Sequence, residues 1–440
     1  MGCHAGRGNR PGGQTAAAAG LRPGVPPSPR RARAIYTPPP TRDGEAPWPI
    51  PPRGRSAGRR PAVPGGHPAV ATFPFIRPDI PPAAEWVRLL DEAYSVGRFS
   101  NYGPISLRLE RLVAGAWGGP DTVCVAASSG TAAIAAPLLA GGITGRVILP
   151  AFTFVATLVA VRMAGAEPIL VDVDPGDWRV APHRLHDALA ATGARSAVML
   201  APFGMRSDFS AHASIVADRG GLLVVDNAAG LGTARAAIEA APHCYEACSL
   251  HATKPLAVGE GGMLFAHRSR EDDLRRALNF GLRPGPVPDL RGGGINGKLS
   301  ELHAAVGVAA VERFPSRLAR RRALAARYRS AAARHPGVRT GAAPEEGTWQ
   351  FFPLLLPGPR AAERFAAAAA DRGMETRRYY VPSLSTLDDV ERVGPCPVSE
   401  DLSSRMCCVP VYADADAAEE EAMLAVFTQA LAAALDGPPA

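Results

Sequence analysis

The sequence has almost no lysine. Of the 48 basic residues in the 440-residue chain, two are lysine, Lys254 and Lys298, and 48 − 2 = 46 are arginine. Arginine can replace lysine at most surface positions, but its guanidinium cannot form a Schiff base and stays protonated. The bias therefore makes each of the two lysines a candidate for amine chemistry.

Long apolar runs and cysteine motifs are also absent. No run of about 18 consecutive apolar residues occurs, so the sequence predicts no membrane span. The N-terminus lacks the compact apolar stretch and small-residue cleavage site of a signal peptide. The seven cysteines include no CxxC pair and no zinc-like spacing. Scattered cysteines of this kind favour reduced thiols and a cytoplasmic location.

The positive charge is concentrated in the N-terminal segment. Residues 1–70 hold eleven arginines and two acids, a net charge of +9, so the other 370 residues carry +7 − 9 = −2. Because the net charge of these 370 residues is so close to zero, the sequence does not favour a nucleic-acid partner. The same segment holds 15 of the 44 prolines, and such a composition buries too little apolar surface to fold. We expect a disordered tail over residues 1–70.

From about Phe73, short apolar runs alternate with helical stretches. A helix is predicted at 83–97, and then strands at 123–127, 146–150, 168–173, 197–203, 221–226 and 261–266. Helices predicted at 131–141, 155–165, 182–192 and 208–219 separate the first five strands. Continuous Val/Ile/Leu runs broken by helices indicate a mostly parallel sheet covered on both faces. Ligands of such α/β folds bind outside the C-terminal ends of the strands.

The C-terminal part predicts a smaller α+β domain. One long helix is predicted at 299–334 with a break at Pro315, then a strand at 349–356 and helices at 359–373 and 415–435. We therefore expect a large domain over residues 71–315 and a small domain over residues 316–440.

A candidate phosphate site opens the first helix after a strand. Ser128-Ser129-Gly130-Thr131 combines hydroxyl groups and a glycine with a helix N-terminus, whose free N–H groups and dipole favour an anion. Alone, this is weak evidence, because Ser and Thr are also ordinary N-caps.

Three further side chains follow strands in the same region. Phe154 could stack on a flat heterocycle or pack in the core. Asp226 could keep a pyridine nitrogen protonated or cap the next segment. Lys254, between apolar and glycine-rich neighbours, could be a Schiff-base amine or a solvated surface charge. In this order, a phosphate cradle, an aromatic ring, an acid and a lysine are what a pyridoxal phosphate site requires.

These motifs resemble those of the DegT-type sugar aminotransferases, pyridoxal phosphate enzymes of fold type I. The most specific block is SLHATKPLAVGEGGML, and SSGTAAI, PAFTFVAT, VDVDP and GINGKLSELHAAVG match in order and spacing. The resemblance runs from about Phe73 to Leu435. It implies a three-layer α/β/α large domain with a smaller α+β domain. It also implies transfer of an amino group from glutamate or glutamine to a keto sugar or related cyclic ketone, in sugar or antibiotic biosynthesis.

The resemblance also implies a role for each matching residue. Lys254 would form the Schiff base with the cofactor, Asp226 would contact the pyridine nitrogen, and Phe154 would stack on the ring. Gly130, Thr131 and Ser249 would bind the phosphate. Asn296 would reach the phosphate of the neighbouring subunit, which implies a homodimer with shared active sites.

Three positions depart from the family pattern. The resemblance implies that they lie near the cofactor or the substrate, so they leave the usual nucleotide-sugar substrate open. Ala229 stands where His or Gln is typical, and Ser385 and Gln350 stand where many members have His. Sugar, aminocyclitol and cyclic keto-acid acceptors all stay open. A sugar dehydratase of the family would carry His at the position of Lys254, and a non-catalytic sensor would not need both Lys254 and Asp226.

Overall fold

The computed structural model describes residues 72–233, 241–282, 293–341 and 347–436. All of them lie in one unit of the chain, His67–Ala440. The expected tail over residues 1–70 lies outside the described residues. In the part that is described, no helix is long and apolar enough to cross a membrane.

Within the ranges given above, eleven strands form two sheets. In chain order they are β1 (Thr122–Ala127), β2 (Arg146–Pro150), β3 (Glu167–Val171), β4 (Ser196–Leu200), β5 (Leu223–Asp226), β6 (Cys244–Ser249), β7 (Gly262–His267), β8 (Phe351–Leu355), β9 (Arg377–Arg378), β10 (Glu391–Arg392) and β11 (Met406–Pro410). The large sheet has the order β1-β7-β6-β5-β4-β2-β3-β10, and every neighbouring pair is parallel except the two that involve β7. The small sheet has the order β8-β11-β9 and is antiparallel.

Helices cover the large sheet on both faces. In chain order the helices are α1 (Ala83–Trp86), α2 (Leu90–Val96), α3 (Pro104–Trp117), α4 (Gly130–Ala140), α5 (Val155–Met163), α6 (Pro182–Thr192), α7 (Ser210–Ala217), α8 (Glu271–Ala277), α9 (Glu301–Ala332), α10 (Pro359–Ala370), α11 (Pro397–Arg405) and α12 (Ala417–Leu435). In β2, Val147 and Leu149 pack in the apolar cluster that includes α4 and α5, whereas Ile148 packs in the cluster that includes α6 and α7. Because side chains alternate along a strand, this pattern shows a sheet buried on both faces. The predicted three-layer α/β fold is confirmed.

The predicted break at Pro315 is wrong. Helix α9 continues through Pro315, with Phe314 and Leu318 buried on either side of it. A proline inside a helix removes one backbone hydrogen bond, and here burial of the neighbouring side chains offsets that loss. The expected domain boundary at 315/316 therefore falls inside a continuous helix.

Other differences are local. The predicted helix at 83–97 consists of α1, a 3₁₀ turn at Val87–Leu89, and α2. Strand β6 was not among the predicted apolar runs, because its sequence, CYEACS, contains Glu246. That carboxylate is buried and accepts a hydrogen bond from Asn227 at 2.8 Å.

The topology brings four strand ends to one edge of the large sheet. Strands β2, β4, β5 and β6 are parallel, and β1 runs in the same direction because β7 is antiparallel to both β1 and β6. Ser129 follows β1 and Phe154 follows β2, whereas Asp226 and Ser249 are the last residues of β5 and β6. The candidate residues therefore converge at the edge where α/β folds bind ligands.

Candidate active site

A cavity of about 460 Å³ opens at this edge of the sheet. Six of the seven predicted site residues line it: Gly130, Thr131, Phe154, Asp226, Ser249 and Lys254. The seventh, Asn296, is exposed outside this cavity, where its side-chain oxygen accepts a hydrogen bond from Lys298 Nζ at 2.8 Å.

One end of the cavity suits a phosphate. Helix α4 begins at Gly130, and the Ser129 hydroxyl caps it by accepting a hydrogen bond from the Ala132 N–H at 3.1 Å. The other N–H groups of the first turn have no acceptor within the helix, so they are available to an anion. A Cβ atom at Gly130 would lie 2.9 Å from Cβ of Ser249, so only glycine allows this close approach of helix and strand.

Asp226 is a buried carboxylate at the end of β5, with 3% of its surface exposed. It accepts hydrogen bonds from the Thr157 hydroxyl at 2.6 Å and from the Ala228 N–H at 3.2 Å. Burial raises the pKa of Asp226, while the Thr157 hydrogen bond and the positive charge of Lys254 lower it. A carboxylate held in this way can stabilise a protonated nitrogen placed in the cavity.

Lys254 lies on the turn between β6 and β7 and extends into the cavity. Its Nζ donates a hydrogen bond to Oε1 of Gln350 at 3.0 Å. Burial lowers the pKa of Lys254 to about 8, although the negative charge of Asp226 acts in the opposite direction. A substantial fraction of the amine is therefore neutral near physiological pH, as Schiff-base formation requires.

Phe154 is not a core residue. Its side chain is 54% exposed, it immediately precedes α5, and it lines the cavity. Its ring centroid lies 6.5 Å from that of Tyr380. An accessible aromatic ring at the mouth of the cavity can stack on a flat heterocycle.

Together, these groups fit pyridoxal phosphate. The helix N-terminus at Gly130 suits its phosphate, the Asp226 carboxylate suits its pyridinium nitrogen, and the Lys254 amine suits its aldehyde. Because a side chain at position 130 would collide with Ser249, the helix begins with a glycine, whose backbone no side chain covers.

The small sheet and its flanking segments contribute cavity residues that the strand-end pattern could not identify. Gln350, Arg377, Tyr379 and Tyr380 all line the cavity. The rings of Tyr380 and Phe203 are stacked, with centroids 5.9 Å apart. Burial raises the pKa of Tyr380, and the charge of Asp226 raises it further, so the phenol stays protonated. The adjacent tyrosines Tyr379 and Tyr380, shortly before Ser385, are the local sequence signal for this part of the cavity.

The departures at 229, 350 and 385 differ in their relation to the cavity. Ala229 and Gln350 line it, as expected for positions near the cofactor or substrate. Ser385, which we also expected there, is not among the lining residues: it is buried, and its hydroxyl donates to Glu400 at 2.9 Å. The Ser385 hydroxyl is therefore hydrogen-bonded to a residue of helix α11 instead of lining the cavity.

Comparison with known proteins identifies the family. The sequence profile of the DegT/DnrJ/EryC1/StrS aminotransferase family matches residues 83–427. A Mycobacterium tuberculosis protein, Rv3402c, is 29% identical over 365 residues, covering 79% of this chain and 87% of that protein. The dTDP-4-amino-4,6-dideoxy-D-glucose transaminase of Shigella dysenteriae is 25% identical over 348 residues, covering 77% and 93%.

A solved structure agrees with this match. The crystal structure of DesI in the presence of its TDP-sugar product has a TM-score of 0.72 and 26% identity, covering 83% of this chain and 95% of that one. The family match spans more than half of the chain, and the residues of the cavity fit the cofactor of that family. The chain therefore belongs to the DegT/DnrJ/EryC1/StrS aminotransferase family and is a pyridoxal phosphate-dependent aminotransferase.

Proposed function

We propose that this enzyme transfers an amino group from glutamate or glutamine to a keto sugar or a related cyclic ketone. The observation that carries the proposal is the Lys254 amine, whose pKa is lowered to about 8, in one cavity with Asp226 and the N-terminus of α4. Neither a solvated surface lysine nor a simple helix cap explains why these three groups share a cavity.

Each predicted residue has a proposed task. Lys254 would hold the cofactor covalently through its amine and, when free, would move a proton at the substrate carbon. Asp226 would keep the pyridine nitrogen protonated, Phe154 would stack on the ring, and Gly130, Thr131 and Ser249 would hold the phosphate. The cofactor, when bound, supplies an electron sink for the negative charge that develops on the substrate carbon.

A sugar is the acceptor class that the relatives favour. The Shigella relative is named for transamination of a dTDP-dideoxyglucose, and the DesI structure was obtained with a TDP-sugar product. In this chain, Ile76, Phe203, Phe351 and Tyr379 give the cavity an apolar wall. An apolar wall suits the less hydroxylated face of a deoxysugar better than a fully hydroxylated ring.

We propose a homodimer whose subunits share their active sites. Val155, Val159 and Met163 are all at least 40% exposed and recur every four residues along α5, so they form one apolar stripe. An exposed apolar patch of this kind marks a protein–protein interface. We propose in addition that Asn296, which is exposed, reaches the phosphate site of the second copy.

The proposal also covers location and domain organisation. The six cysteines in the described residues are all buried thiols, which suits a reducing cytoplasm. We keep residues 71–315 and 316–440 as the large and small domains and treat residues 1–70 as dispensable for catalysis. A chain that starts at His67 should match the full chain in turnover, and a large loss of activity would contradict this part.

Turnover by the purified, cofactor-loaded enzyme tests the central proposal. We expect L-glutamate or L-glutamine to convert the cofactor to its amine form, and a keto-sugar nucleotide to restore the original spectrum with release of an amino sugar. Lys254→Ala is the control and should do neither. Loss of a substrate hydroxyl without amine transfer would favour a dehydratase. A loaded enzyme that turns over no donor and no cyclic ketone would favour a non-catalytic sensor.

A further inference from the structure

We propose that Gln350 is a positioning residue that holds the Lys254 amine whenever this amine is not bonded to the cofactor. The inference rests on the role proposed above for Lys254. The family resemblance gave Gln350 no role, since it stands where many members have His.

The Gln350 amide is held at both ends. Its Oε1 accepts a hydrogen bond from Lys254 Nζ at 3.0 Å, and its Nε2 donates to the Thr253 carbonyl at 3.1 Å. A flipped amide would place its NH₂ group against the lysine amine and its oxygen against a carbonyl oxygen, losing both bonds. The partners of Gln350 therefore fix its orientation with the acceptor facing the amine.

Gln350 is well placed for this task because its own position is rigid. It immediately precedes β8, and only 8% of its surface is exposed. The turn that carries the lysine is also ordered, since the N–H of Lys254 donates to the His251 carbonyl at 2.9 Å. One amide thus connects the small sheet to the reactive amine of the large domain.

Within the described residues, Gln350 provides the only hydrogen bond to Lys254 Nζ. The Asp226 carboxylate instead accepts from Thr157 and Ala228, so it acts on the lysine through charge alone. An amide oxygen is a neutral acceptor: it orients the amine while stabilising its charged form less than a carboxylate in contact would. A neutral acceptor therefore suits an amine that must lose its charge to act as a base.

Two variants of similar size separate positioning from simple packing. Gln350→Met removes the acceptor, so the ammonium loses a hydrogen bond and the pKa of Lys254 should fall by about one unit. Gln350→Glu places a negative charge beside the amine, so the pKa of Lys254 should rise by about one unit or more. A residue that only fills space would not shift this pKa in opposite directions in the two variants.

The lysine scarcity of the chain makes the measurement direct. The full-length protein is loaded with pyridoxamine phosphate, which leaves Lys254 free, and is treated with limiting acetic anhydride across neutral and alkaline pH. Mass spectrometry then gives the acetylation of Lys254 and Lys298 separately, and these are the only two lysines in the chain. Lys298 serves as the internal reference because its Nζ is bonded to Asn296, not to Gln350. Gln429→Met, at an exposed position of α12, is the matched control.

The expected result is a titration midpoint for Lys254 that falls in Gln350→Met, rises in Gln350→Glu and stays unchanged in Gln429→Met. In the Glu variant, the acidic limb of the kcat profile should move to higher pH by the same amount, with the KM for the donor changed less than threefold. Identical Lys254 midpoints in the parent and the Glu variant would overturn the proposal, even if the Met variant does not fold. The labelling needs no turnover, so failure of the transamination proposal would be seen separately.

Discussion

Asp226→Asn tests the electrostatic core of the site. The amide keeps the shape of the carboxylate and can still bond to Thr157, whose hydroxyl can reverse its direction because it also contacts the Thr153 hydroxyl at 2.8 Å. The variant removes the negative charge of Asp226, a residue with only 3% of its surface exposed. If the pyridine nitrogen loses two to three pKa units as a result, its protonated fraction falls by about 10²–10³, equivalent to roughly 2.7–4 kcal/mol of activation free energy.

The same variant should change the lysine in a defined direction. The charge of Asp226 raises the pKa of Lys254, so its removal should bring that pKa below about 8. The assay measures cofactor stoichiometry, the rate of the donor half-reaction and the Lys254 titration in parallel. Asp172→Asn is the matched control, because Asp172 is also buried, follows β3 and accepts hydrogen bonds from the N–H groups of Val398 and Ser399 at the start of α11. It should lower stability but leave kcat within a few-fold of the parent. An Asp226→Asn enzyme that holds cofactor and keeps near-parental activity would refute the role of Asp226.

Two further predictions concern the phosphate site. Gly130→Ala should weaken cofactor binding about tenfold, measured by equilibrium dialysis, because the new Cβ would lie 2.9 Å from Cβ of Ser249. Gly115→Ala, where no atom lies within 4 Å of the added Cβ, should leave binding unchanged, and equal effects of the two would contradict the cradle. Mixing inactive Lys254→Ala and Asn296→Asp subunits should restore up to about a quarter of parental activity, since half of the dimers are mixed and each holds one intact site. No recovery despite proven subunit exchange would rule out Asn296 acting across the interface.

Much of the large sheet could be predicted from the sequence because its strands are short, continuous apolar runs. Strand β2 has the predicted bounds, and β1, β3 and β7 differ by one or two residues at their ends. Strand β6 escaped detection because buried Glu246 interrupts its apolar pattern, and the hydrogen bond from Asn227 that helps to satisfy this carboxylate is not visible in the sequence. The helix through Pro315 shows the same limit, since tertiary packing outweighed a local helix-breaking signal.

The residues of the site also differ in whether the sequence could predict them. Residues that end or follow predicted strands, such as Asp226 and Phe154, could be predicted, because parallel strands deliver their C-terminal ends to one edge. Ser249 came only from the family resemblance, because it ends β6, which was not predicted. Gln350 and Tyr380 reach the cavity from the small sheet and the segment beyond it, about a hundred residues after Lys254 in the chain. Their placement depends on how the small sheet packs against the large one, which no local periodicity encodes. The orientation of Ser385 toward Glu400 was hidden for the same reason.

Borohydride reduction identifies the lysine that binds the cofactor. Reducing the Schiff base should bleach the long-wavelength absorption of the cofactor-loaded enzyme and attach the cofactor permanently to one lysine. The chain has only two lysines, so peptide mapping gives a single answer. We expect all of the label on Lys254, and none on the folded Lys254→Arg variant. Label on Lys298, or no label at full cofactor occupancy, would contradict it.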